Sequence, residues 1–379
     1  MRQLGQVALA IITVIAGVVA ASVHAAQSAS PDALGFAPGA LESLDKEFAA
    51  GKHGYIDSML VIRHGRVALE RSYTHDYDRL FTGKGEPGIY NYYDPAWHPF
   101  YKRSKLHTMQ SVSKSVTSAL VGIAIARGDI PGVDAKVLPY FSDFKVKPDA
   151  RRDRMRLRDV LTMTTGIQWD ESSTSYTDAK NNCAEMEAAD DWIQYVLDQP
   201  MAAEPGSVFV YNSGATELLS YIIRKATGKE ADDYAREHLF APLGIEYYWK
   251  RTPKGLADTE GGLYLEPRDL AKLGRLYLDH GMWEGKQILP AEWTKQSTRW
   301  LVDAGKTGRG YGYKWWLLSR KGPTTYDAYA ALGYGGQRLI VVPELDLIAV
   351  FTGWNIYDKP ELNPKVALDR VIAALKEKS

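Results

Sequence analysis

Ser111 and Lys114 are the two residues whose types and spacing could perform covalent chemistry, and they lie in 109-MQSVSKSVTSALVGIAIARGDI-130. Residues three apart share one face of a helix, so the amine would lie beside the hydroxyl. A serine hydroxyl attacks a carbonyl effectively only when a neighbouring base takes its proton. Apolar surroundings lower the pKa of a lysine, because burial disfavours the charged form. Lys114 could therefore be a neutral general base for Ser111.

The Ser-x-x-Lys spacing is weak evidence by itself, because it also occurs at Ser43–Lys46 and Ser142–Lys145. The first of these lies in a highly charged helical stretch and the second in a polar, proline-containing loop. Only Ser111 opens a long apolar helix, where its own backbone N–H could help to hold an oxyanion. The alternative for its lysine is a paired or snorkelling side chain on a mostly buried helix.

Composition excludes several other kinds of function. The chain has 379 residues, with 46 Lys+Arg balanced by 46 Asp+Glu, which argues against a nucleic-acid partner. Cys183 is the only cysteine, so no intramolecular disulfide can form; a small buried side chain is the simplest interpretation. The absence of partner cysteines and of metal-type histidine spacing predicts that there is no metal site, and no cofactor is expected.

The first 25 residues have the pattern of a signal peptide. Arg2 precedes an apolar run, 7-VALAIITVIAGVVAASV-23, and small residues at 23–25 suit cleavage after Ala25. This predicts a periplasmic or secreted protein, with an uncleaved anchor as the alternative. No later segment has the length and apolarity of a membrane span, so we expect no stable membrane insertion after the signal is removed.

Periodicity predicts strands at both ends of the chain and helices between them. The strands are expected in 59–73, around a His64-Gly65 turn, and at 337–343 and 347–353; the helices are expected at 39–51, 111–126, 157–166, 190–199, 215–228, 268–280 and 364–378. The fold class is therefore α/β of the α+β type, with a mostly antiparallel sheet built from both chain ends and flanked by helices. We expect one catalytic domain, 26–379, whose α/β part spans about 35–110 and 255–379 around a helical part at 111–254.

Most of the mature chain, roughly 40–375, resembles the penicillin-recognising serine hydrolases. That family contains class C β-lactamases, D-Ala-D-Ala carboxypeptidases, family VIII carboxylesterases and 6-aminohexanoate-dimer hydrolases. The resemblance is carried by 111-SVSK-114, 161-LTMTTGIQWDE-171, 204-EPGSVFVYNSG-214, 242-PLGI-245, 261-GGLYLEPRDLAKLGRLYL-278 and 331-ALGYGGQ-337. It implies a β-lactamase/transpeptidase-like fold and an acyl-enzyme mechanism on the serine of the first motif.

The second motif of the family, Tyr-x-Asn, is matched by Tyr211-Asn212-Ser213. The resemblance implies that Tyr211 and the motif lysine exchange protons with the serine and the leaving group. Ser213 stands where the family often has asparagine, which favours the esterase and aminohexanoate-hydrolase branches and makes Ser213 a candidate substrate contact. The alternative for Tyr211 is an ordinary core tyrosine.

The third motif must place a strand edge beside the nucleophile. A literal Lys-Thr-Gly at 306–308 lies in a glycine-rich loop with no strand expected after it, whereas 333-GYGGQRLIVVP-343 leads into a strand. We therefore assign the motif to Tyr334, Gly335 and Gly336, and the second oxyanion donor to the N–H of Gln337. Tyr334 replaces the cation that would bind a β-lactam carboxylate.

Aromatic segments 90–101 and 311–316 resemble the cleft rims of this family, with packing inside the protein as the alternative. Trp169 and Asp170 could edge the cleft, although Asp170 more simply caps a loop. The sequence thus predicts an exported serine hydrolase for a small-molecule ester or linear amide. The alternatives are a β-lactamase or D-Ala-D-Ala carboxypeptidase, or a non-catalytic binding protein on the same scaffold. The oligomeric state is left open.

Overall fold

The computed structural model describes residues 27–84, 105–318, 327–356 and 363–376, together with Gly88, Tyr92 and Asp94. The predicted signal peptide and most of the aromatic segment 90–101 lie outside the described residues. Within the described ranges, none of the helices combines the length and the apolarity needed to cross a membrane.

The strands form one large sheet and two small ones. Their bounds are β1 Ile56–Arg63, β2 Arg66–Ser72, β3 His107–Thr108, β4 Tyr247–Trp249, β5 Leu263–Leu265, β6 Met282–Trp283, β7 Lys286–Gln287, β8 Val302–Asp303, β9 Gly310–Tyr311, β10 Trp316–Leu318, β11 Ala328–Gly333, β12 Gln337–Val342 and β13 Leu347–Gly353. The large sheet has the order β2-β1-β13-β12-β11-β10-β9-β8, and its neighbouring strands are antiparallel. Strands from the two ends of the chain meet where β1 pairs with β13, which confirms the predicted sheet.

The helices cover both faces of the large sheet and fill the middle of the chain. Their bounds are α1 Ala40–Ala49, α2 Tyr77–Phe81, α3 Ser113–Arg127, α4 Leu157–Leu161, α5 Asn182–Ala188, α6 Trp192–Asp198, α7 Ser213–Thr227, α8 Ala231–Ala235, α9 Ala241–Leu243, α10 Pro267–Leu278, α11 Ala291–Ser297 and α12 Pro364–Ala373. A π-helical turn, Arg236–Phe240, joins α8 to α9. The helix predicted at 157–166 is real but shorter, because it ends at Leu161.

Strand β1 separates two hydrophobic cores. Successive side chains of a strand point to opposite faces. Leu60 and Ile62 therefore join the larger core with α3, α7 and α10, while Met59 and Val61 join the core formed with α1 and α12. Because both faces of the sheet are covered at β1, the strand has a continuous apolar run rather than an alternation of apolar and polar residues.

Helix α3 is buried along nearly its whole length between the sheet and the helical region. Gly128 ends it in the left-handed conformation, with φ of 81°, as the sequence predicts. A polar side chain at the start of such a helix is held by the protein on all sides, which is the setting required for a rigid catalytic group.

Candidate active site

Ser111 lies in a tight turn at the start of α3. The 3-10 turn Gln110–Val112 precedes the helix, and Gln110 has φ of 48°, in the left-handed region. Residues other than glycine adopt this conformation rarely and need support from their surroundings. The support comes from Gln110 Nε2, which donates to Thr108 Oγ1 at 3.0 Å, and from Ser113 Oγ, which donates to the Gln110 carbonyl at 2.7 Å. The turn leaves Ser111 half-buried, while the helix after it is closed off.

The amine of Lys114 is hydrogen-bonded in three directions. Nζ donates to Ser111 Oγ at 2.8 Å, to the Glu260 carbonyl at 2.7 Å and to Glu260 Oε2 at 3.0 Å. An ammonium group has three donors, so all of its hydrogen-bonding capacity is used. The predicted pair Ser111 and Lys114 is therefore in contact, and Glu260 is a third member that the sequence analysis did not identify.

The pKa of Lys114 is shifted in the opposite direction to the one expected from its sequence. Burial by itself lowers this pKa, but Tyr211 and the carboxylates of Glu260 and Glu171 outweigh burial and raise it above the ordinary lysine value. The expectation of a lowered pKa was wrong because it counted the apolar helix and not the carboxylates brought in by other segments. Lys114 is an ammonium ion at neutral pH in the free protein.

Tyr211 completes the cluster that the motifs predicted. It immediately precedes Asn212, the N-cap of α7, which accepts from the Ala215 N–H at 2.7 Å. The phenol is hydrogen-bonded to Ser111, and burial raises its pKa against the opposing charge of Lys114. Its ring stacks on Trp316, with centroids 5.6 Å apart, and lies 5.4 Å from Lys114 Nζ. The fold thus brings Ser111, Lys114 and Tyr211 together from different segments.

Ser213 lies behind the cluster rather than on an open surface. It is fully buried, and its N–H and Oγ both donate to Glu171, at 2.7 and 2.8 Å. Trp169 Nε1 and the Tyr176 hydroxyl also donate to this carboxylate, at 2.6 and 3.0 Å. The predicted substrate contact of Ser213 is therefore corrected: its polar groups hold Glu171. Trp169 likewise orients Glu171 instead of edging the cleft.

The β11–β12 turn approaches the nucleophile as the third-motif assignment requires. A Cβ atom on Gly333 would lie 2.3 Å from the Met109 carbonyl oxygen, so only glycine permits this contact. Gly336, in the turn that follows, has φ of 120°. Gln337 opens β12 opposite Gly333, and its side chain donates to the Gly353 carbonyl at 2.6 Å. The oxyanion role of the Gln337 N–H stays a prediction.

Tyr334 belongs to an aromatic wall beside this turn. Its hydroxyl donates to the Ile356 carbonyl at 2.7 Å, and its ring packs against Tyr176 and Tyr92 at 5.0 and 5.7 Å. A second group of aromatic side chains, Phe209, Tyr311 and Trp316, surrounds the ring of Tyr211. Of the aromatic residues in 311–316, Tyr311 and Trp316 therefore lie beside Tyr211, whereas Tyr313 and Trp315 pack inside the larger core.

The literal Lys-Thr-Gly is part of a turn at the far edge of the large sheet. Residues Gly305–Thr307 form a 3-10 turn between β8 and β9, and Gly308 has φ of 67°. The expectation that no strand follows was wrong, because β9 begins at Gly310. A two-residue strand is too short to show periodicity in a sequence. Asp170, as expected, caps a loop: its carboxylate accepts from the N–H groups of Ser172 and Ser173.

Cys183 lies beside two carboxyl groups instead of standing alone. Its Sγ and one oxygen each of Glu187 and Glu260 are all within 4.8 Å of one another, so the sequence argument against a cysteine metal site overlooked these partners. Glu187 is hydrogen-bonded to Glu260, and burial raises the pKa of Glu187 well above its usual range. A proton shared by the two carboxyl groups therefore accounts for their close approach.

Lys314 is a second buried lysine near the site, and it has a very different environment. It is 1% exposed and adopts a φ of 63°. Among the described residues, its amine donates a hydrogen bond to Met163 Sδ, at 3.2 Å. Burial, together with the charge of Lys114, lowers the pKa of Lys314 well below the ordinary lysine value. The surroundings of Lys314 therefore favour the neutral amine over the ammonium ion.

Replacing Lys314 by methionine is expected to stabilise the protein at neutral pH. The pKa of Lys314 is lower in the folded protein than in the unfolded chain. The unfolded chain therefore binds a proton as pH falls below about 10, and the folded protein becomes less stable as pH falls. Lys314→Met removes this penalty and should raise Tm by roughly 3 °C or more at pH 7, with the gain shrinking towards pH 10. Calorimetry across pH measures it, with the exposed Lys46→Met as control. An equal gain at every pH would contradict a lowered pKa of Lys314 in the folded protein.

Comparison with known proteins places this α/β scaffold in a family. The β-lactamase family model matches residues 45–353. The chain belongs to the β-lactamase family of serine hydrolases. A 6-aminohexanoate-dimer hydrolase of Paenarthrobacter ureafaciens is 24% identical over 294 residues, covering 72% of this chain and 71% of that protein.

Two further proteins show the range of this similarity. An N-acetylmuramyl-L-alanine amidase of Bacillus subtilis (strain 168) is 26% identical over 212 residues, which cover 54% of this chain and 44% of the amidase. The crystal structure of a family VIII carboxylesterase superposes with a TM-score of 0.65 at 17% identity, covering 92% of this chain and 98% of the esterase. The α/β fold of the β-lactamase type is therefore confirmed.

Proposed function

We propose that this protein hydrolyses esters or small linear amides through an acyl-enzyme on Ser111. The observation that carries the proposal is the hydrogen bond of 2.8 Å between Lys114 Nζ and Ser111 Oγ, with the phenol of Tyr211 on the same hydroxyl. A nucleophile, a base and a second proton carrier within hydrogen-bonding reach are what acyl transfer requires. No metal or cofactor takes part in the proposed steps.

The reaction would proceed in two halves. In the first, Ser111 Oγ bonds to the substrate carbonyl carbon while its proton passes to the Lys114–Tyr211 pair, in those molecules in which Lys114 has lost a proton and is a neutral amine. The N–H groups of Ser111 and Gln337 would bind the oxyanion, and the pair then returns the proton to the departing alcohol or amine. In the second half, water adds to the acyl-serine, its proton passes to the same pair, and the acid leaves as the Oγ–carbon bond breaks.

The walls of the site support the proposed substrate class. The Tyr334 hydroxyl is engaged with the Ile356 carbonyl, so the third motif offers an aromatic ring where a cation would bind a β-lactam carboxylate. Aromatic side chains on both sides, including Trp316 next to Tyr211, favour an apolar acyl group or leaving group. The similarity to an amide hydrolase and to a carboxylesterase is in keeping with this class. Residues 1–25 support export to the periplasm or the medium.

The decisive experiment compares two chromogenic substrates. We expect kcat/KM for 4-nitrophenyl butyrate to exceed that for a chromogenic cephalosporin by at least about tenfold, a difference of roughly 1.4 kcal/mol in transition-state binding. Faster turnover of the cephalosporin would favour the β-lactamase alternative. If a fluorophosphonate leaves Ser111 unlabelled in a folded sample and neither substrate is turned over, the chain is a binding protein.

A further inference from the structure

We propose that Glu260 is a positioning residue of the reaction, and that Ser111, Lys114 and Glu260 form a hydrogen-bonded array of nucleophile, base and carboxylate. Nothing in the three sequence motifs points to Glu260. The inference rests on the proposed function, because it assigns Glu260 a part in activating Ser111. Glu187 supports the array by donating a hydrogen bond to Glu260.

The contact between Lys114 and Glu260 is double and shielded from water. Two of the three hydrogen bonds of Nζ go to this one residue, to its carbonyl at 2.7 Å and to its carboxylate at 3.0 Å. The side chains of Lys114 and Glu260 are 1% and 6% exposed. Removing one partner of a buried ion pair is strongly destabilising, because the other partner is left as an uncompensated charge.

The array follows the logic of a serine–histidine–aspartate triad with a lysine as the base. In such a triad the carboxylate orients the base and stabilises the cation that it becomes. Here the Oγ–carbon bond forms as the Ser111 proton moves to Nζ of the neutral amine, and Glu260 holds the resulting ammonium ion. The proton then leaves Nζ for the leaving group as the bond between that group and the carbonyl carbon breaks.

Two carboxylates, Glu260 and Glu171, lie near Lys114, and that of Glu260 is in contact with its amine. The ionisable side chains near Lys114 are Tyr211, Glu171, Cys183, Glu260 and Lys314. Those near Glu260 are Lys114, Lys250, Glu187, Cys183, Asp258, Glu171, Glu217, Tyr92 and Tyr211. Lys250 is occupied by Asp258, with Nζ 3.1 Å from Oδ2, and the Tyr92 hydroxyl donates to Glu187 at 3.0 Å. The carboxylate of Glu260 is the one in hydrogen-bonding contact with Lys114.

This arrangement predicts an alkaline rise in the reactivity of Ser111. The carboxylate of Glu260 favours the ammonium form of Lys114, so the free amine accumulates only as pH increases. In the full-length wild-type protein, the rate constant for labelling of Ser111 by a fluorophosphonate should therefore still be rising at about pH 9. Labelling followed by intact mass reports on Ser111 without requiring the natural substrate.

The test is the pH profile of labelling in Glu260→Gln. Glutamine keeps the shape of the side chain and the hydrogen bond from Lys114 to the backbone carbonyl of residue 260, but it removes the negative charge. Without that charge, burial should lower the pKa of Lys114. We expect the labelling midpoint to move to lower pH by about 1 to 3 units. The matched control is Glu217→Gln. That buried carboxyl accepts from Thr259 N and Oγ1 at 2.9 and 3.0 Å, and its variant should keep the wild-type profile.

Each other outcome overturns a different statement. If Glu260→Gln lowers labelling equally at every pH, Glu260 only holds the local structure and the proposed array is wrong. If the variant does not fold, the wild-type profile decides: a plateau reached below pH 7 would show that Lys114 is not held as a cation, and would overturn the array. If wild-type Ser111 is not labelled at any pH, the proposed function itself fails, and the array fails with it.

Discussion

Ser111→Ala is expected to lower kcat/KM for an activated ester by at least a factor of roughly a thousand, with Tm nearly unchanged. Loss of a serine nucleophile that acts together with its base removes almost all of the catalytic advantage. The fold should tolerate the change, because Ser111 is half-buried and no other segment of the described chain is anchored by its hydroxyl beyond Lys114 and Tyr211. Ester kinetics and thermal unfolding of the same preparation measure both effects.

Ser118→Ala provides a matched control for this variant. Ser118 lies on the same helix, is fully buried, and its Oγ has no hydrogen-bond partner among the described residues. The control should keep wild-type turnover and fluorophosphonate labelling, whereas Ser111→Ala should lose both. Retention of more than about a tenth of the activity in Ser111→Ala would place the nucleophile elsewhere.

The parts of the site that the sequence predicts are those encoded by local spacing. Ser111 and Lys114 are three residues apart on an apolar helix, and that helix forms with its glycine cap where periodicity places it. The hairpin of β1 and β2 also follows from a local signal, since His64 and Gly65 both adopt positive φ as a two-residue turn requires. Tyr211 could be placed only through the family resemblance.

What sequence reasoning missed depends on contacts between distant segments. Glu260 and Glu171 reach Lys114 from other parts of the chain, and their charges reverse the direction of its pKa shift. No periodicity in a sequence reports a Coulomb interaction of this kind. One signal was available: Glu260 directly precedes the Gly261-Gly262 pair of a recognised stretch, and a carboxylate next to paired glycines could have been flagged. The burial of Ser213 against Glu171 has no comparable signal in the sequence.

Lys114→Met is expected to impair both activity and stability, and the two losses should separate. Without the base, kcat/KM for an activated ester should fall by at least roughly a thousandfold. The buried carboxylate of Glu260 would also lose its partner, at a cost of about 3 to 5 kcal/mol. Burial would then raise the folded pKa of Glu260 above its unfolded value, so the variant should lose stability as pH rises and be least impaired near pH 5.

The double variant Lys114→Met, Glu260→Gln distinguishes the two effects. It removes both charges, so most of the stability lost in Lys114→Met should return, because a neutral amide is far easier to bury than an unpaired carboxylate. Activity should stay as low as in the single variant, since no base is restored. Thermal unfolding from pH 5 to 9 and ester kinetics on the four proteins of the cycle measure the coupling. If the double variant is no more stable than Lys114→Met, the two side chains do not form the charged pair described here, and Glu260 is neutral in the folded protein.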